Sequence, residues 1–270
     1  MLSRLREGSL NIVQLLRIAT DRFIYNECPL RAASLAYYAL FSMFPLGLFL
    51  IYLGGGFLSE ENVLQTLEAF LNQFFPVSSD KLITVINHAL VLRGSIGLIG
   101  LIGLFWSASS VFGVLEWSLS KIWAGTPSPF WRRRLLGAVS VLALSGFFIG
   151  SFYLRPMLDW IWSPNEVFSR DLLNFAIGLG ISTIVSLLLF RIFPNREIPW
   201  RPALIGALVA GLAIELIRGV FGYYLAVVGR NFGFFYGSIA WIFALGIWVY
   251  LVGLVFFLGA EIGAAIDRDN

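Results

Sequence analysis

Residues Arg31 to Leu58 read RAASLAYYALFSMFPLGLFLIYLGGGFL, and after the leading arginine the stretch carries no charge. An apolar, uncharged run of roughly 18 or more residues is long enough to cross the ~30 Å hydrocarbon core of a bilayer as a helix. Five other stretches behave in the same way. The chain therefore reads as six spans, at about 32–57, 95–119, 135–157, 172–193, 203–228 and 238–262. The totals agree: 58% of the 270 residues are hydrophobic and 13% are charged, where soluble domains carry about 25% charged residues. Mean hydropathy is +0.82. No repeat, low-complexity tract or Pro/Gly linker divides the sequence. The predicted fold is all-α: a polytopic membrane protein with one six-helix transmembrane domain over residues 1–270.

Charge sets the orientation. Of the nineteen Lys and Arg residues, thirteen fall in segments on the N-terminal side of the membrane: Arg4, Arg6, Arg17, Arg22, Arg31, Lys121, Arg132, Arg133, Arg134, Arg191, Arg196, Arg201 and Arg268. Five fall on the other side (Lys81, Arg93, Arg155, Arg170, Arg230), and Arg218 lies within a span. Cytoplasmic loops carry the excess of Lys and Arg, so both termini are expected in the cytoplasm. The same bias accounts for the pI near 9.2, and no nucleic-acid partner is expected. One cysteine (Cys28) and one histidine (His88) allow neither an internal disulfide nor a four-ligand Cys/His zinc site. The N-terminal residues lack a signal-peptide core with a small-residue cleavage site, so no cleavage is expected.

Two segments outside the spans are amphipathic. Residues 9–26 set Leu10, Ile12, Val13, Leu15, Leu16, Ile18, Phe23 and Ile24 among Arg and Asn, which suits a helix lying on the cytoplasmic surface. Residues 61–92 read as two short helices, VLQTLEAFLNQFF and KLITVINHALVL, parted by Pro76 and two serines and covering the outer end of the bundle. His88 falls in the second of these and reads as a surface residue. Gly97, Gly100 and Gly103 in the second span, and Gly259 and Gly263 in the sixth, recur at helical spacing. Such positions let helix backbones approach closely, and packing is their predicted role.

Ionisable groups at membrane depth are rare and usually face the protein interior or a wet cavity. In GLAIELIRGVFGYY of the fifth span, Glu215 lies about fourteen residues past Arg201, roughly 20 Å in at 1.5 Å per residue. Arg218 follows on the same face, where the two can pair. Such a pair either locks the bundle or opens a polar site. The second reading is preferred, because small residues would make a simpler lock. Arg31, Ser34, Tyr38, Ser42 and Pro45 form a polar face of the first span, and Trp106, Ser109, Gly113, Glu116 and Ser120 form one of the second. Glu261 closes an otherwise uncharged run in the sixth. Arg31, Glu116 and Glu261 all fall near cytoplasmic ends, where the two acids either reach the interface or line a site. Together these residues predict a cytoplasm-facing polar vestibule, with Arg31, Glu116 and Glu261 at its rim and Glu215 and Arg218 deeper.

The segments RAASLAYYALFSMFPL, WSASSVFGVLEWSLSKIW, IEL followed by FGYYLA, and FYGSIAWIFALGIWVYLVGLVFFLGAEI resemble hallmarks of the YihY/BrkB family. The resemblance covers roughly residues 25–265 in order, and Glu116, Glu215 and Glu261 fall inside its motifs. It implies a bacterial inner-membrane protein with six spans. It also carries three unsettled functional associations: an old label of transfer-RNA-processing ribonuclease, resistance to serum killing, and export of envelope lipids. A ribonuclease needs clustered carboxylates or histidines at a water-accessible surface, and the cytoplasmic loops offer few. The basic run Trp131 to Arg134 suits lipid headgroups beside a span as well as RNA phosphates. The expected function is a transporter, flippase or exporter of an envelope component, with membrane lipids and a lipid-linked or anionic substrate as partners. It is expected to need no cofactor, metal or catalytic residue. The alternative is a non-catalytic scaffold or assembly factor, and a lipid-acting enzyme ranks third. No Walker-type phosphate loop is present in the sequence, so an ion gradient, a partner or the substrate gradient would drive transport.

Overall fold

Residues 12–57, 103, 110–126, 129, 167–236 and 239–269 are described by a computed structural model, and among them there are six helices and no strand. In chain order these are α1 (Ile12–Tyr25), α2 (Cys28–Phe57), α3 (110–122), α4 (Val167–Ile192), α5 (Trp200–Tyr236) and α6 (Ile239–Asp269). The stretches Phe175–Ile192, Trp200–Tyr224 and Phe243–Asp269 are long and apolar enough to cross a bilayer. The first, fourth, fifth and sixth predicted spans correspond to α2, α4, α5 and α6, and α3 is the end of the second. The third span at 135–157, the outer helices at 61–92 with His88, and the basic run at 131–134 lie outside the described residues.

Helix α1 ends in a tight elbow. The Asn26 amide donates to Arg22 and that of Glu27 to Ile24, and Glu27 sits at φ 55°, in the left-handed region. The Arg31 amide then donates to the Glu27 carbonyl and opens α2. Pro29 falls in that first turn, where its missing N–H leaves nothing unsatisfied. Ala19 of α1 is buried, while Val13, Leu16 and Ile24 stay exposed. A helix is present over Ile12–Tyr25 of the amphipathic stretch read at 9–26, packed against α6 with an apolar edge left over.

Burial of apolar side chains does not draw helices together in lipid, so close contact has to do it. The interface of α5 with α6 is built of Ala203, Gly206, Ala207 and Ala210 against Gly259, Ala260, Gly263 and Ala264. A methyl group on Gly206 would lie 2.6 Å from the Gly259 carbonyl oxygen, and one on Gly263 would lie 2.7 Å from that of Pro202. The pair is antiparallel. On α4, Gly178 meets Glu215 of α5 and Thr183 meets Gly211, again antiparallel. On α2, Ala32 packs on Gly253 and Leu40 on Gly246 of α6. Gly259 and Gly263 thus have the packing role predicted for them, whereas Gly97 and Gly100 lie outside the described residues.

One end of the bundle is knitted by aromatic rings and arginines. Phe112 stacks on Phe193 at 5.7 Å, and Phe190 meets Trp123 at 6.3 Å and Phe256 at 4.9 Å. Helix α3 ends in a Schellman turn: Ala124 donates to Lys121 and Gly125 to Ser120, with Ala124 at φ 52°. The freed carbonyls of Ile122 and Trp123 accept from Arg268 (2.6 Å) and Arg196 (2.9 Å), and Arg196 also pairs with Asp267 at 2.9 Å. Two cations thus meet the negative end of the α3 dipole. Because a left-handed alanine costs about 1–2 kcal/mol that glycine avoids, Ala124→Gly is expected to raise thermal stability. The net gain is about 0.5–1 kcal/mol after glycine's extra unfolded-state entropy. A melting curve of the detergent-purified variant no higher than that of the parent would refute this.

The elbow, the end of α3, the 193–199 link and the end of α6 all gather at this pole. They are the segments that charge counting assigns to the cytoplasm.

Candidate polar sites at mid-depth and at the bundle end

The polar residues fall into two groups. The first centres on Glu215 of α5. Its carboxylate accepts from Ser182 Oγ of α4 at 3.2 Å and from Arg218 Nη1 at 3.3 Å. Room for it comes from Gly178, where a methyl group would lie 2.7 Å from Glu215 Oε1. The pair is lopsided: the Glu215 side chain is 6% exposed and that of Arg218 62%. The carboxylate is tucked between α4 and α5 while the guanidinium reaches outward, and Leu216, Val220 and Tyr223 of the same helix are exposed as well. Gly219 and Gly222 leave open space on the same stretch of helix.

The second group lies where α1, α2, α3 and α6 meet. Asn26 Nδ2 donates to Glu261 Oε1 at 2.6 Å, and the Cys28 thiol points to the same oxygen at 3.9 Å. The Asn26 carbonyl accepts from Arg31 Nε at 2.5 Å. The Arg31 guanidinium lies 3.7 Å over the Trp117 ring and reaches Ser118 Oγ at 3.4 Å. Glu116, one residue before that tryptophan, is fully buried, as are Glu261 and nearly so Arg31 (0% and 3% exposed). Burial, and then the nearby Glu261 carboxylate, push the Cys28 thiol up to about 12. Cys28 stands on the first turn of α2, ahead of the span.

The arrangement differs from the predicted vestibule in two ways. Arg31, Glu116 and Glu261 do not form an open rim; all three are buried, Arg31 and Glu261 at the elbow and Glu116 on α3. They also stand apart from the deeper pair. Gly206 lies against Gly259 and Gly263, which bracket Glu261, and Glu215 is about nine residues further along α5, roughly 14 Å at 1.5 Å per residue. Tyr38 and Ser42 join neither group: Tyr38 packs edge-on against Tyr37, and the Ser42 hydroxyl donates to the Ala39 carbonyl of its own helix. Trp106 and Ser109 lie outside the described residues. Asn26, Ser118, Ser182 and Gly178 belong to these sites without having been singled out. A signal for the α4 residues was present in Gly178, Ser182 and Ser186, four apart on one helix face.

A cavity of about 410 Å³ opens at the 193–199 link, lined by Arg191, Pro194, Asn195, Arg196, Glu197 and Ile198. Its arginines are already engaged, Arg191 over the Trp200 ring at 3.6 Å and Arg196 with Asp267. Among the described residues no three His, Cys, Asp or Glu side chains stand together as a metal site.

A family model described as virulence factor BrkB matches residues 19–270. The chain belongs to the BrkB family. Its relatives include a protein of Bacillus subtilis called ribonuclease-like, 29% identical over 92% of this chain and 93% of that protein. A UPF0761 membrane protein of Chlorobium phaeobacteroides is 28% identical over 95% of this chain, which spans 58% of that longer protein. A UPF0761 membrane protein of Pseudoalteromonas translucida is 26% identical, covering 93% and 85% of the two chains. No solved structure matches the chain. This BrkB-family chain is thus a membrane protein, as the spans require.

Proposed function

We propose that this BrkB-family chain moves an anionic envelope component, such as a lipid or a lipid-linked precursor, across the bacterial inner membrane, with both termini in the cytoplasm. The supporting observation is the split pair on α5. A guanidinium exposed at membrane depth is costly against acyl chains unless it meets water or an anion. Arg218 is held there by a buried acid, which makes it a headgroup contact in this reading, with Glu215 as its anchor. A planar fork of donors suits phosphate or carboxylate. Hydrolysis of RNA, raised by the name of the Bacillus relative, gains no support from this arrangement. Glu116, Glu215 and Glu261 are buried on three different helices instead of clustered at a wet surface.

Native mass spectrometry of the purified protein tests the reading. Anionic lipid is expected to copurify with the parent chain, and Arg218→Met is expected to lose about nine-tenths of it, the effect of removing roughly 1.4 kcal/mol of contact. Equal lipid retention by the two proteins would leave the scaffold reading in place. That reading draws on the closed, tightly bonded bundle end.

A further inference from the structure

At the elbow between α1 and α2, one residue, Asn26, stands between a buried acid and a buried base. It meets the acid, Glu261, with its side-chain amide and the base, Arg31, with its main-chain carbonyl. Each charged group keeps one atom without a partner, Oε2 of Glu261 and Nη2 of Arg31. Leaving a buried polar atom unsatisfied is costly, and more so when the group is charged. The knot is therefore not optimised as a static lock.

The Glu261 carboxyl is fully buried, and the charged and polar groups that face it are Arg22 of α1, the Asn26 amide of the elbow, Cys28 and Arg31 of α2, and Arg268 of its own helix. Lys121 of α3 acts on the adjoining Cys28, and α3 also carries the buried acid Glu116. Helix α5 meets α6 at this level through Pro202, Gly206 and Ala210. A proton can be accepted at the open Oε2 without breaking an existing bond. The Asn26 contact to Oε1 would then change from a charge-assisted hydrogen bond to a neutral one, roughly half as strong.

We infer that Glu261 is a proton-binding site whose charge latches the amphipathic helix α1 to the bundle, so that proton uptake loosens the elbow at Asn26 and Glu27. The left-handed Glu27 makes this elbow the hinge, and the Asn26–Glu261 bond ties the end of α1 to α6. The latch does not depend on what the chain transports. In a transporter it would supply a step driven by the proton gradient.

Cys28 is a built-in reporter, being the sole cysteine and fully buried beside Glu261. The experiment is labelling of Cys28 in membrane vesicles by a pyridyl disulfide, a reagent that stays reactive in acid. Rates are divided by those of a free-cysteine peptide at the same pH. From about pH 8 to about pH 5, across the range where a perturbed carboxyl titrates, the normalised rate is expected to rise at least about tenfold, as loss of ~1.4 kcal/mol of latch requires. Glu261→Gln, which mimics the protonated acid, is expected to label fast at every pH. Asn26→Ala, which removes the latch from the other side, should do the same and serves if Glu261→Gln fails to fold. A normalised parent rate that is flat with pH overturns the inference. So does a folded Glu261→Gln or Asn26→Ala protein that labels as slowly as the parent.

Discussion

Replacing Gly259 with leucine is expected to lower the stability of the folded chain by about 3 kcal/mol or more, at or beyond the upper end of what overpacking usually costs. A first methyl at this position would already lie 2.7 Å from both Ala210 Cβ and the Gly206 carbonyl oxygen. Those obstacles are backbone and a methyl fixed to it, so no side chain can swing aside. The two helices have to part, and small-residue contact is what holds membrane helices together. The contrast lies on α5 itself. An alanine at Gly219 meets nothing within 4 Å and is expected to be neutral or to stabilise by up to ~1 kcal/mol through helix propensity. Unfolding titrations in mixed detergent micelles measure both. A Gly259→Leu protein with the parent's midpoint would show that α5 and α6 do not meet as described.

Arg218→Met and Glu215→Gln are expected to differ in effect although they break the same pair. Losing Arg218 leaves a buried carboxylate with Ser182 as its remaining described hydrogen-bond donor, at a cost of about 1.5–3 kcal/mol at neutral pH. Losing the charge of Glu215 frees a guanidinium that already reaches outward, and Gln can still accept from Ser182. With the guanidinium meeting water or a headgroup, as proposed, that change is expected to cost under ~1 kcal/mol, as exposed pairs do. The double variant should sit near Glu215→Gln alone, giving a coupling energy of the same order as the Arg218→Met loss. Equal losses from the two single changes would mean that Arg218 is as enclosed as its partner. Gly178→Ala, which would press a methyl on the Glu215 carboxyl, probes the same pocket from α4.

Several of these features are legible in the chain before any folding is considered. The uncharged run after Arg31 marks a membrane helix because the bilayer's thickness sets the length and its dryness excludes charge. Glu215 and Arg218 are three residues apart on one helix, so their pairing follows from helical periodicity. The spacing of Gly259 and Gly263 announces a close approach for the same reason. Span ends were less legible: α5 begins at Trp200 and α6 runs on to Asp269, beyond the spans read at about 203–228 and 238–262. Polar residues extend a helix past the hydrocarbon as readily as they end it.

The partners of those residues were decided only by the tertiary fold. Nothing local joins Asn26 to Glu261, which lie 235 positions apart, or aims Ser182 at Glu215. Periodicity places a side chain on a helix face, but the rotation and depth of the neighbouring helix choose what that face meets. For this reason the chain alone defined a membrane protein with charged groups in its spans, and it suggested that those groups share one open vestibule. The assembled helices divide them into a closed knot around Asn26 and a lopsided pair at mid-depth. The small residues of α5 and α6 pack closely at the level of the knot, and the pair lies about nine residues further along α5, roughly 14 Å away.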